Sequence, residues 1–148
     1  MRVAVACDHG GFPLKETVIE AVRQAGHAPV DLGTFSAESV DYTDFAEKAG
    51  RAIQQNQVER AIVICGSGIG AAIAGNKMKG VYAAICHDTY SAHQGVEHDN
   101  MNMLCLGGRI IGVEVAKELV KAFLSAQFIG EGRYARRFEK IKKLEQNG

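Results

Sequence analysis

The chain carries no surplus of charge of either sign: 17 Lys and Arg balance 17 Asp and Glu, for a formal net charge of zero. A balanced chain lacks the global field that attracts nucleic acid or an anionic membrane surface, so neither partner is expected. No apolar run is long enough to span a bilayer, and nothing at the N-terminus has signal-peptide character, so a cytoplasmic location is expected. The four cysteines, Cys7, Cys65, Cys86 and Cys105, show no Cys-x-x-Cys spacing. Each falls at or near the end of an expected strand, which suits reduced thiols better than disulfides. Internal repeats, linkers and low-complexity stretches are missing too. What is present is 148 residues, 47% of them hydrophobic and 23% charged, enough for a single domain spanning residues 1–148 with a real core.

That domain is organised around Cys65-Gly66-Ser67-Gly68-Ile69-Gly70-Ala71. Ala61-Ile62-Val63-Ile64 before it reads as a buried parallel strand, and the alanines and isoleucines up to Lys77 read as a helix. A helix start offers unpaired backbone N–H groups and the positive end of a dipole. Gly66, Gly68 and Gly70 have no side chains to screen those donors, so an anion can lie directly on the backbone. Cys65 stands at the lip of this cradle, where the same field favours a thiolate. The plainer alternative is a glycine-rich turn with a buried cysteine.

Strands and helices alternate along the remainder. Val3–Cys7 is the first strand and ends in Asp8-His9-Gly10-Gly11. Pro13 opens a helix whose stripe is Leu14, Val18, Ala21, Val22 and Ala25, closed by Gly26. Ala28–Leu32 is a second strand, and a polar loop from Thr34 to Thr43 leads to a helix through about Gln55. Val81–Cys86 is the fourth strand, with His87 and Asp88 at its end and Asp88 placed to cap a helix. Met103–Leu106 is the fifth, followed by Gly107-Gly108-Arg109. A long helix puts Ala116, Leu119, Val120 and Phe123 on one face. The last helix starts near Arg133 and is expected to bury Tyr134, Phe138, Ile141 and Leu144. The pattern predicts an α/β three-layer sandwich around a five-stranded parallel sheet, Rossmann-like in build. Ligands of such sheets bind beyond the carboxyl ends of the strands. That rule gathers Asp8, His9, the Cys65–Gly70 loop, His87, Asp88 and Arg109 on one rim.

Several chemistries compete for these residues. Gly66-x-Gly68-x-x-Ala71 fits a dinucleotide fingerprint, with Asp88 ending the next strand, and leaves open a non-catalytic nucleotide-binding module. Against it, the loop follows the third strand and the chain has no room for a separate substrate domain. A Walker-type phosphate loop fails, because Asn76-Lys77-Met78 stands where Gly-Lys-Ser/Thr must follow Gly70–Gly75. His87, Asp88, His93, Glu97, His98 and Asp99 are dense enough to raise a metal site, yet no His-Glu-x-x-His pattern is present and polar helix ends often look this way. Arg133 and Arg137 share a helical face and can fork onto a phosphate, or belong with Lys140, Lys142 and Lys143 to a solvated basic face.

Taken in order over nearly the whole chain, these pieces resemble one family. Val5-Ala6-Cys7-Asp8-His9-Gly10-Gly11-Phe12, Asp41-Tyr42, Ile64-Cys65-Gly66-Ser67-Gly68-Ile69-Gly70 and Ala74-Gly75-Asn76-Lys77 are four of them. Tyr90-Ser91-Ala92, Glu97-His98, Gly107-Gly108-Arg109 and Gly132-Arg133 complete the set. Together they resemble the ribose-5-phosphate isomerase B family, in a wider group with galactose-6-phosphate and allose-6-phosphate isomerases. The resemblance implies an aldose–ketose isomerase that converts ribose 5-phosphate to ribulose 5-phosphate through an enediolate, with no metal or organic cofactor. It assigns Cys65 as the base between C1 and C2, since Ala71 stands where other members carry a glutamate base. Backbone N–H groups from Gly66 through Gly68 and Ile69 to Gly70 hold the enediolate oxygens, with the Ser67 hydroxyl assisting. His98 opens the furanose ring, Asp8 orients sugar hydroxyls, and His9, Arg109, Arg133 and Arg137 hold the phosphate. The resemblance also implies a homodimer or homotetramer in which the His98 region reaches into the neighbour's site. One position departs from the family. Asp99 follows the ring-opening histidine where asparagine is usual, with Asn100 displaced by one. An anion in place of a neutral donor points to a different sugar, of four or six carbons, as the alternative substrate.

Overall fold

Side-chain alternation along the strands decides the architecture. In the computed structural model, which describes residues 1–148, Val3, Val5 and Cys7 of β1 (Arg2–Cys7) face one core, and Ala4 and Ala6 face another. The same alternation runs through β3 (Arg60–Cys65) and β5 (Met103–Gly107), where Ile62, Ile64, Leu104 and Leu106 join the first core. Ala61, Val63, Cys65, Met103 and Cys105 join the second. Strands apolar on both faces require helices on both. The first face is covered by α1 (Phe12–Gln24), α4 (Thr89–Asp99) and α5 (Val113–Ser125), through residues such as Val18, Val96 and Phe123. The second is covered by α2 (Tyr42–Gln54) and α3 (Ile69–Asn76), through Phe45, Ala46, Ala49 and Ala71.

With β2 (Ala28–Asp31) and β4 (Ala83–Ile85) the sheet has the order β2-β1-β3-β5-β4, every pair parallel. The five-stranded parallel sheet and three layers expected from the sequence are therefore present. From β1 the chain travels outward to β2, and from β3 it travels the opposite way, beyond β5. The loops leaving β1 and β3 diverge, which opens a crevice between their carboxyl ends.

Details of the pattern differ. On α1 the stripe holds Leu14, Val18 and Val22, but Ala25 is exposed, while Lys15 is only 3% exposed. Its ammonium is met by the Asp31 carboxylate at 3.0 Å and the Thr34 carbonyl at 2.8 Å, and lies over the Phe35 ring. β4 is shorter than the expected Val81–Cys86. The Val81 N–H bonds back to Met78 and the Tyr82 N–H to the Asn102 side chain, so the strand begins only after that turn.

The last helix, α6 (Gly132–Asn147), buries Phe138 alone, against the rings of Tyr82 and Phe128. Tyr134 and Ile141 are half-buried, and Leu144 is 74% exposed rather than buried. At 3.6 residues per turn, Leu144 falls about 120° around the helix from Phe138, whereas Glu145 falls within about 20° of it. Glu145 accordingly reaches the chain, accepting from the Gly80 N–H at 2.6 Å and the Tyr82 hydroxyl at 3.1 Å. Burial and that carboxylate push the Tyr82 phenol up to about 12. No helix is long and apolar enough to cross a membrane.

Candidate active site

The crevice between β1 and β3 is a cleft of about 370 Å³. Asp8 enters it from β1, Cys65, Gly66, Ser67 and Gly70 from β3 and its loop, and Arg109 and Ile110 from the turn after β5. Tyr42, the first residue of α2, closes one side.

Backbone geometry sets the Cys65 loop. Gly68, at φ +85°, is left-handed, and a Cβ there would lie 3.2 Å from the Leu106 carbonyl carbon. A Cβ on Gly70 would collide with the Tyr42 ring. Within this turn the Gly68 N–H donates to the Cys65 sulfur at 3.2 Å, and the Ile69 N–H donates to the Ser67 hydroxyl at 3.3 Å. The N–H groups of Gly66, Ser67 and Gly70 have no backbone partner in the chain. The five-donor cradle expected from the sequence is thus narrower, with three free donors and two engaged in holding the thiol and the hydroxyl.

Asp8 spends one oxygen on the turn before α1, where Oδ1 accepts from the N–H groups of Gly10 at 2.9 Å and Gly11 at 3.0 Å. Its other oxygen has no partner within the chain. After β5, the Gly108 N–H donates to the Cys65 carbonyl at 2.7 Å and the Arg109 N–H to the Gly66 carbonyl at 3.1 Å. The turn that carries Arg109 therefore also braces the glycine loop.

Cys65 stands apart from the other cysteines, although all four are free and buried. Desolvation pushes the Cys7 and Cys86 thiols up to about 11, and Cys105 up as well. Cys65 is the one of the four that borders the cleft, and its sulfur accepts the Gly68 N–H.

Other candidate residues lie elsewhere. His9 turns away from the cleft, its Nδ1 accepting the Val40 N–H at 3.2 Å. His98, in the last turn of α4, bonds through Nδ1 to the Gln94 amide at 2.8 Å. Its ring centre is 4.6 Å from that of Tyr134, whose hydroxyl accepts from Arg133 at 2.7 Å. Asp99 ends the same helix, exposed, and Arg137 is exposed one turn after Arg133. None of His98, Asp99, Arg133 and Arg137 borders the Cys65 cleft. The residues raised as metal ligands are spread over separate tasks. His87 accepts the Gly107 N–H, Asp88 caps α4 through Ser91, and His93 pairs with Glu97 at 2.8 Å.

Two residues to which the sequence assigns no site role stand at these places, Tyr42 at the cleft, although it belongs to the Asp41-Tyr42 motif, and Tyr134 beside His98. Tyr42 follows a long loop rather than a strand end, and Tyr134 looks like a core residue of α6 although it sits between His98 and Arg133. A larger groove of about 810 Å³ runs along α2, lined by Asp44, Glu47, Lys48 and Arg51. Arg51 there already pairs with Glu47 at 3.1 Å, and the groove holds no thiol.

A parallel α/β sheet with a thiol and a cradle of free amides at its switch point defines a small-molecule enzyme equipped for anionic intermediates. The family model described as Ribose/Galactose Isomerase matches residues 3–141, and the chain belongs to that family. It is 39% identical over 145 residues to ribose-5-phosphate isomerase B of Escherichia coli strain K12, covering 98% of this chain and 97% of that protein. It is 38% identical over 146 residues to D-erythrulose-4-phosphate isomerase of Pectobacterium atrosepticum, covering 98% and 95%. The solved structure of type B ribose 5-phosphate isomerase from Trypanosoma cruzi superposes with a TM-score of 0.97 at 44% identity, covering 100% of both chains.

Proposed function

We propose that this chain interconverts ribose 5-phosphate and ribulose 5-phosphate, with Cys65 moving a proton between C1 and C2. The observation that carries the reading is the Cys65 sulfur held by the Gly68 N–H beside the three free amides of Gly66, Ser67 and Gly70. The thiolate removes the C2 proton of the open-chain aldose, and charge develops on the carbonyl oxygen. Fixed N–H dipoles stabilise that oxyanion where it forms, so they lower the barrier more than they tighten substrate binding. Returning the proton to C1 gives the ketose. The Ser67 hydroxyl assists the proton shift between the oxygens, and the unpartnered oxygen of Asp8 orients sugar hydroxyls. This proton shuttle assigns no step to a metal or organic cofactor.

His98 serves as the ring opener, and Arg133 and Arg137 with Arg109 and His9 as the phosphate holders. Because His98 and the α6 arginines do not border the Cys65 cleft of their own chain, the complete site takes its second half from a neighbouring copy in a homodimer or homotetramer. A cytoplasmic setting fits the free, reduced cysteines. The test is a panel of four-, five- and six-carbon aldose phosphates assayed for ketose formation. The highest kcat/KM is expected on ribose 5-phosphate, and turnover of none of them would end the isomerase assignment.

One observation favours a second reading, a four-carbon sugar phosphate. Asp99 puts a carboxylate beside His98, where it accepts hydrogen bonds but donates none when ionised. The Pectobacterium atrosepticum relative, named for erythrulose 4-phosphate, is nearly as similar as the one named for ribose 5-phosphate. A four-carbon preference in the panel would decide for it.

A further inference from the structure

We propose that His87 is a positioning residue of the Cys65 cleft: its imidazole takes the place of a missing strand at the end of β5 and so fixes the Gly107–Arg109 turn.

Amides along a parallel strand point alternately to its two neighbours. In β5 the Met103 N–H donates toward β4, to the Tyr82 carbonyl at 3.1 Å, and the Gly108 N–H donates toward β3, to the Cys65 carbonyl at 2.7 Å. By this alternation the Gly107 N–H faces β4. Pairing with β4 ends at Ile85 opposite Cys105, so no strand remains at that level. Gly107 is buried, and an unmet N–H there is costly. The Nε2 atom of His87, two residues past the end of β4, accepts it at 3.0 Å.

An accepting Nε2 requires a neutral ring with its proton on Nδ1. Desolvation supports this by holding the His87 imidazolium below the ordinary histidine range.

The anchored residue matters because the cleft hangs from it. The Gly107 carbonyl accepts from both Ile110, at 3.0 Å, and Ile111, at 3.2 Å, closing the turn that presents Arg109. The next two amides, of Gly108 and Arg109, bond to the carbonyls of Cys65 and Gly66. A Cβ on Gly68 would press on the Leu106 carbonyl, so the left-handed residue of the loop rests on the same segment. A displaced Gly107 therefore carries the thiol, the amide cradle and Arg109 with it.

The kinetic consequence rests on the isomerase reading; the hydrogen bond does not. His87→Leu removes the acceptor, and His87→Gln offers Oε1 near the position of Nε2. On the best sugar of the panel, the leucine variant should lose roughly tenfold to a hundredfold in kcat/KM, much of it in kcat, as small misplacements of reacting groups do. The glutamine variant should recover most of that loss. Long-range ¹H–¹⁵N spectra of the wild-type chain should show a neutral His87 ring protonated on Nδ1. A wild-type kcat/KM in the leucine variant, or a glutamine variant no better than leucine, would overturn the proposal. So would a ring protonated on Nε2, a result that needs no variant to fold. If no panel sugar is turned over, the isomerase reading fails, and the ring spectrum still decides the role of His87.

Discussion

The Cys65 loop and the His98–Tyr134–Arg133 cluster are built in opposite ways. In the loop, backbone does most of the work: Cys65 is 5% exposed, its carbonyl and sulfur both accept backbone N–H groups, and free amides supply the donors. In the cluster, side chains do it, through the His98–Gln94 bond, the tilted rings of His98 and Tyr134, and an exposed Arg133 lying over Tyr134 at 4.7 Å. A backbone-built cradle offers few positions where a substitution changes it gradually. A side-chain cluster can be altered one group at a time, so under the proposed function sugar identity and phosphate grip would be tuned there.

Substitutions should break that comparison in a graded order. Cys65→Ala should lower kcat by about 10²–10⁴ while sugar-phosphate binding stays nearly intact, because the base acts on bound substrate. Steady-state rates together with calorimetric affinity check this, and near-normal turnover would remove Cys65 from the chemistry. His98→Ala should produce a large loss on a cyclic sugar phosphate and a much smaller one on an open-chain substrate. Equal losses on both would contradict ring opening by the cluster. Arg133→Ala combined with Arg137→Ala should act mainly on KM, with a smaller fall in kcat, and should leave unphosphorylated sugars unaffected. Unchanged kinetics would return these arginines to a solvated basic face.

The smallest expected effect comes from acid. Burial lowers the imidazolium stability of both His87, beside the cleft, and His27, next to the amino terminus. Both rings bind protons more readily in the unfolded chain, so stability present at neutral pH is lost as pH falls below about 6.5 toward their folded values. Denaturant midpoints measured between pH 8 and pH 5 should decline in that window. A flat profile would mean that neither ring resists protonation in the fold.

Legibility in the sequence followed the range of the interactions. The parallel sheet was readable because β-branched runs such as Ala61–Ile64 alternate with helical stripes, a local pattern. The strand-end rule gathered Asp8, Cys65, Ser67 and Arg109, which stand at or just past the ends of their strands, but also His9, His87 and Asp88, whose side chains are taken up by other partners. Lys15 was not readable as buried, because its burial depends on Asp31, Thr34 and Phe35, all far along the chain. Where Tyr42 and Tyr134 come to lie was not readable for the same reason, since their places are set by what they meet. Leu144 misled in the other direction: its apolar character suggested the core, but its angle on α6 turned it outward.

The attachment of α6 has a consequence for motion. Of its sixteen residues only Phe138 is buried; the helix is otherwise held by half-buried side chains, the Tyr134 ring against His98, and the carboxylate of Glu145 against Gly80 and Tyr82. The helix is entered through left-handed Gly130 and Gly132 on either side of Glu131, just after the Ile129 N–H bonds to the Glu97 carbonyl at 3.0 Å. Such a segment detaches at a lower free-energy cost than the sheet, as a separate opening unit. Amide protons of α6 should accordingly exchange with solvent well before those of β1, β3 and β5, and Glu145→Gln should widen that gap. The arginines on α6 would then ride on a piece released more easily than the sheet. Phosphate binding, by holding them, should slow its exchange.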